Sequence, residues 1–198
     1  MYPADDDSLR ELRQQVRTTP GLRAGEQEQL LERAELGDRA SQDRLVAAHM
    51  AMVIRLAEAR QDRGLSVGDL VQEGSLGLVE AVRTFGREAG DFESFAERMV
   101  GEQMDAAIAT EAAAVRDAEQ LVTAATDYER AELLLRRTLR RIATEAEIAE
   151  KLEWTVERTR YVAQVVADAR RRHDEELLAF IDPDAIDEDG SPDSVERE

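Results

Sequence analysis

The chain has 198 residues, with 44 acidic and 26 basic side chains, a net charge of −18 and no cysteine. That length suits one ordinary domain or two small helical ones, and the lack of thiols excludes disulfide frameworks and thiolate metal sites. The acidic balance argues against tight unaided binding to nucleic-acid phosphates, and no apolar run is long enough to cross a bilayer.

Helix-forming residues dominate and apolar positions recur at spacings of three and four, so the fold class expected is all-α. In chain order, helices are predicted over 7–17, 25–37, 39–61, 66–84, 92–112, 119–141, 145–152 and 155–173, with a further short one over 174–180. The breaks come from Thr18-Thr19-Pro20-Gly21, Arg63-Gly64, Phe85-Gly86 with Ala89-Gly90, and Asp182-Pro183. Ser66 and Thr144 each stand where a side-chain oxygen can accept from the first free amides of a helix, and Glu147 stands three residues after Thr144, as in a capping box.

The charge is uneven. Residues 1–96 carry 12 basic and 18 acidic groups, and residues 97–127 carry 2 and 7. Residues 128–173 carry 11 basic against 8 acidic groups and form the only net basic stretch, whereas residues 174–198 carry 1 and 11. From Asp182 onward the sequence DPDAIDEDGSPDSVERE is acidic, broken by proline and poor in apolar surface, which predicts a disordered, mobile tail.

Isolated constellations read as structural. His49 lies on an apolar helical face, and His173 follows Arg170, Arg171 and Arg172 at a solvated helix end. Asp187, Asp189, Gly190 and Glu196 imitate part of a calcium loop, but Ala185 occupies the first ligand position and Pro192 falls inside. Trp154 reads as an apolar plug between two helices. With no nucleophile–base pair, phosphate-cradling loop or metal cluster, no enzymatic activity, cofactor or metal is expected.

Residues 45–81, LVAAHMAMVIRLAEARQDRGLSVGDLVQEGSLGLVEA, resemble the second conserved region of bacterial housekeeping-type sigma factors. Asp69, Gln72, Glu73, Gly74, Leu76, Gly77 and Leu78 match in register the block with which that family grips the clamp helices in the largest subunit of core RNA polymerase. The resemblance implies a polymerase-docking role for these seven. A face of small residues (Gly74, Ser75, Gly77) would let a partner helix approach closely, while Asp69, Gln72 and Glu73 meet basic side chains. The alternative for the same glycines is packing against a neighbouring helix of this chain.

The likeness extends in the family's order. Residues 21–38 resemble the helix pair before region two, Ala143 to Val162 the region-three helices, and the last segment the acidic linker. The implied domains are a region-one/two-like domain over 1–115, a region-three-like domain over 116–173 and a linker-like tail over 174–198. Region four is expected to be absent. The segment FAERMVGEQMDAAIATEAA departs from the family. Arg98 and Met99 replace the paired tryptophans that stack on flipped bases, and Gly101, Glu102, Asp105 and Ala106 replace an arginine, glutamine, threonine and arginine. Glu102 and Asp105 bring the wrong charge to phosphates and base acceptors. Gln120 and Thr123 stand where a histidine and glutamate are usual.

Phe92 and Phe95 match family aromatics and, with Arg98, are candidate contacts to DNA or polymerase, although both phenylalanines also fit a core. Arg136, Arg137, Arg140 and Arg141 are further candidates for DNA or polymerase. The reading implied is a protein that binds core RNA polymerase and acts in or modulates transcription initiation, meeting promoter DNA only weakly or with help. The alternative is a sigma mimic that sequesters an anti-sigma protein without touching polymerase. The N-terminus lacks the basic and apolar regions of a secretory signal, so a cytoplasmic location without membrane contact is expected.

Overall fold

The computed structural model describes residues 3–180, which form seven α-helices, one 3-10 turn and no strand. They are α1 (Pro3–Thr18), α2 (Glu26–Glu35), α3 (Arg39–Glu58), α4 (Val67–Thr84), α5 (Phe92–Leu139), α6 (Glu145–Leu152) and α7 (Val156–Phe180), with the 3-10 turn at Arg87–Ala89 between α4 and α5. The expected all-α class holds. Two expected breaks do not: residues 112–119 continue α5, and residues 173–174 lie within α7. The stretch EAAAVRDA contains neither glycine nor proline and is half alanine, so nothing in it opposes helical geometry. The acidic tail and its calcium-loop likeness lie outside the described residues.

Contacts divide the chain into two units, Met1–Arg116 and Asp117–Glu198. In the first, α4 packs on α1, α2 and α3. Its Leu70, Val71, Leu78, Ala81 and Val82 share a core with Leu45, Val53 and Ile54 of α3 and with Phe92, Ala96, Val100, Met104 and Ile108 of α5. Those five α5 residues recur every fourth position, so they line one side of the helix. Full burial of a leucine such as Leu70 or Leu78 contributes about 1.5–3 kcal/mol.

Local chemistry fixes where the elements of this unit start and stop. Gly37, at φ 85°, ends α2 in the left-handed region and returns its amide to the Ala34 carbonyl at 2.9 Å. Ser66 caps α4, its hydroxyl oxygen accepting from the Asp69 amide at 3.1 Å while donating to the Asp69 carboxylate at 2.7 Å. The carboxylate of Asp91 accepts from the Ser94 amide at 2.8 Å at the start of α5, and that bond holds its pKa below the usual value.

In the second unit, Ala124, Tyr128 and Ala131 of α5 pack with Ile148 of α6 and Val162 and Val166 of α7. The capping box foreseen at Thr144 and Glu147 is present in both directions. Glu153 closes α6 at φ 56°, and the Trp154 amide returns to the Ala149 carbonyl at 2.9 Å. That turn seats Trp154 against the second core, in the plug role expected of it, with the Arg158 guanidinium 4.5 Å from the ring centroid.

Candidate functional site

Asp69, Gln72, Glu73 and Leu76 fall at i, i+3, i+4 and i+7 on α4, a spacing that places them on one helical face. Asp69 and Gln72 are exposed, Glu73 is half-buried, and Leu76 is 60% exposed. A leucine so placed, flanked by two carboxylates and an amide, gives a face with an apolar centre and an acidic rim. Gln103 of α5 donates to the Glu73 carboxylate at 2.9 Å and steadies one edge. Beside it a cleft lined by Leu65, Asp69, Glu73, Thr110 and Glu111 carries the acidic character onto α5.

Gly74, Gly77 and Leu78 lie on the other side. Leu78 is wholly buried, and a Cβ on Gly74 would lie 2.2 Å from Met104 Cε and 2.9 Å from Val53 Cγ1. A Cβ on Gly77 would lie 3.0 Å from the Met99 carbonyl oxygen and 3.1 Å from Val100 Cα. Ser75, half-buried, donates to the Val71 carbonyl at 2.6 Å. The small-residue face proposed for a partner helix is therefore turned inward, and the close approach it permits is that of α4 to α5. Gly74, Gly77 and Leu78 shape the exposed face from behind and do not belong to it.

Phe92 is 2% exposed and ringed by His49 (centroids 5.1 Å apart) and Phe85 (5.2 Å), both edge-on. This removes Phe92 from the candidate surface contacts, because no ring face is left for a base or a partner. His49 is likewise structural, with Nδ1 2.8 Å from the Leu45 carbonyl. Phe95 is half-buried, 5.4 Å from Phe85, and the exposed Arg98 guanidinium lies 5.2 Å from its ring centroid.

The charges around Arg98 are paired. Arg98 donates to both carboxylate oxygens of Glu102, at 3.0 and 3.1 Å, and Arg55 of α3 donates to Glu97 at 3.2 Å. Arg60, just beyond α3, forks onto Asp105: Nε and Nη2 each donate at 3.1 Å while Nη1 donates to the Leu56 carbonyl at 3.2 Å. Arg63 adds a bond to Asp105 at 2.9 Å. The Arg60 hydrogen bond, reinforced by Arg63, holds the Asp105 pKa below the usual carboxylate value. Sequence reasoning missed the partners of Glu97 and Asp105, which lie 42 to 45 positions away; Glu102 has its arginine one turn away on the same helix.

In the second unit Arg136, Arg137 and Arg140 are exposed, and among the described residues no carboxylate bridges them. Arg141 differs, because its guanidinium forks onto Glu147 at 2.6 and 2.9 Å. That fork, followed by the Thr144 bonds, draws the Glu147 pKa down to about 2. Arg141 is thus engaged in holding the start of α6. Among the described residues there is no cluster of metal-binding side chains, and no helix long and apolar enough to cross a membrane.

The first unit is thus an all-α unit that presents a face with an apolar centre and an acidic rim. The model of the sigma-70 region 2 family matches residues 45–111. The curated relatives the chain resembles are RNA polymerase sigma factors. It is 36% identical over 128 residues to the RNA polymerase sigma factor SigA of a Synechocystis species, covering 64% of this chain and 30% of that protein. It is 34% identical over 133 residues to the SigA of a Nostoc species (67% and 34% covered), and 29% identical over 164 residues to that of a Bacillus species (82% and 44%). The chain therefore spans under half the length of these relatives.

Proposed function

We propose that this chain docks on core RNA polymerase through the exposed face of α4 and acts in or modulates transcription initiation, with promoter reading and melting weakened. In this reading Asp69, Gln72, Glu73 and Leu76 meet the clamp helices of the largest subunit. The observation that carries it is their common exposed face inside the segment matched to sigma-70 region 2. Residues 1–115 then act as the region-one/two-like part, 116–173 as the region-three-like part and 174–198 as the linker-like tail. Arg136, Arg137 and Arg140 supply auxiliary contacts to polymerase or DNA. The protein works in the bacterial cytoplasm and is not an enzyme.

Weakened promoter reading is supported by the paired charges of α5 and by the lack of an exposed aromatic pair at Arg98 and Met99. The same observations favour a second reading, a mimic that occupies an anti-sigma protein through the α4 face, since such a role needs no DNA contact.

The test is capture of purified core polymerase by the wild-type chain, by Asp69→Arg with Glu73→Arg, and by Leu76→Glu. The last alters an exposed side chain and leaves both the Ser66 cap and the Gln103 bond in place. Binding by wild type and loss in both variants is expected. A well-folded wild type that captures no polymerase overturns the docking reading and puts the mimic first.

A further inference from the structure

We infer that Glu97, Glu102 and Asp105 act as internal substitutes for phosphate, and that by holding four arginines they are the residues that keep this face of α5 from nucleic acid. The inference deepens the weakened promoter reading proposed above and rests on it. Simple repulsion by acidic side chains would leave the neighbouring arginines free. Instead, Arg55, Arg60, Arg63 and Arg98 each donate to one of these three carboxylates at 2.9–3.2 Å.

The geometry is that of guanidinium capture. A guanidinium forks onto a carboxylate much as it does onto a phosphate. Arg60, whose side chain is only 18% exposed, has all three nitrogens occupied. Gly101 makes this possible: a Cβ there would lie 3.0 Å from Arg60 Nη2. A Cβ there would push the guanidinium aside by a few tenths of an ångström, so glycine leaves the fork onto Asp105 undisturbed. Glu97, Gly101 and Asp105 recur every fourth residue, with Arg98 and Glu102 beside them at the same spacing, on one side of α5. The residue types that remove charge from the surface and the residue that makes room for the incoming arginine thus occur together.

Neutralising the three acids should release the arginines. The test is fluorescence anisotropy with a labelled DNA duplex and a labelled single strand at low salt, on the protein without polymerase. Glu97→Gln, Glu102→Gln and Asp105→Asn are combined. Glu28→Gln, Glu35→Gln and Asp43→Asn, exposed acids on α2 and α3, form a control with the same change in net charge. The α5 variant is expected to bind duplex at least tenfold more tightly than wild type and control, with a log–log salt slope of about −3, as for three or four phosphate contacts.

Adding Arg60→Gln and Arg63→Gln to the α5 variant should abolish most of that gain. Should Asp105→Asn unfold the protein, Glu97→Gln with Glu102→Gln keeps the Asp105 bridges and must still gain at least threefold. A gain no larger than the control's, or none in a folded variant, overturns the inference. Polymerase capture is a separate readout on the α4 face, so failure here is distinguishable from failure of docking.

Discussion

Gly77 meets the Met99 carbonyl oxygen so closely that a Cβ would lie 3.0 Å from it, and α4 and α5 touch through main chain at that point. Backbone cannot swing aside as a side chain can. Gly77→Ala should therefore cost about 1–3 kcal/mol in denaturant unfolding, despite the better helix propensity of alanine. Gly74→Ala should cost a comparable amount. Its nearest neighbour, Met104 Cε at 2.2 Å, is the end of a flexible side chain, but Val53 Cγ1 at 2.9 Å and Val100 Cγ1 at 3.2 Å, both wholly buried, must give as well. Equal stability of wild type and Gly77→Ala would contradict the close approach.

Ser66→Ala removes the hydroxyl that accepts from the Asp69 amide at 3.1 Å. A loss of about 1 kcal/mol is expected, with faster hydrogen exchange confined to the first turn of α4. That turn carries Asp69, so weaker capture of polymerase should accompany it. An unchanged exchange rate at residues 67–70 would show that the cap is redundant.

Glu147 ties acid stability to the second unit. Its folded pKa, about 2, lies below the ordinary value of 4.5, chiefly through the Arg141 bond. A depressed carboxyl pKa stabilises the fold above the unfolded value, and the contribution is lost as pH falls from about 4.5 towards 2. Glu147→Gln should melt at lower temperature than wild type near neutrality, and the gap should close across that window. A gap independent of pH would assign the bonds no ionic character.

Glu153 adopts a left-handed conformation, φ 56°, that a side chain disfavours by roughly 1–2 kcal/mol. Glu153→Gly keeps the Trp154 return bond and relieves that cost, so midpoint denaturant concentration should rise. A fall would mean that the glutamate side chain contributes a contact of its own.

Local chemistry made much of the fold legible. The starts of α4 and α6 followed from Ser66, Thr144 and Glu147, and four of the seven residues singled out by the family resemblance, Asp69, Gln72, Glu73 and Leu76, share one face of α4. What the sequence concealed depends on partners distant in the chain. Whether Gly74 and Gly77 face a partner or α5 is decided by Met99, Val100 and Met104, 22 to 30 residues downstream. The α5 acids read as a repelling face because Arg60 and Arg63 stand more than forty residues before Asp105. The continuity of α5 was obscured for another reason: a run of alanines with isolated charges has no sharp apolar stripe to follow across residues 112–119.

Trp154 is the lone tryptophan of the chain, and Tyr128 and Tyr161 belong to the same unit, whereas the described aromatics of the first unit are phenylalanine and histidine. Among described residues, intrinsic fluorescence is thus a private optical channel for the second unit. Melting followed by emission and by backbone dichroism would coincide if the units unfold together and separate if they do not. An arginine 4.5 Å from the indole centroid makes that emission sensitive to any event that loosens the start of α7.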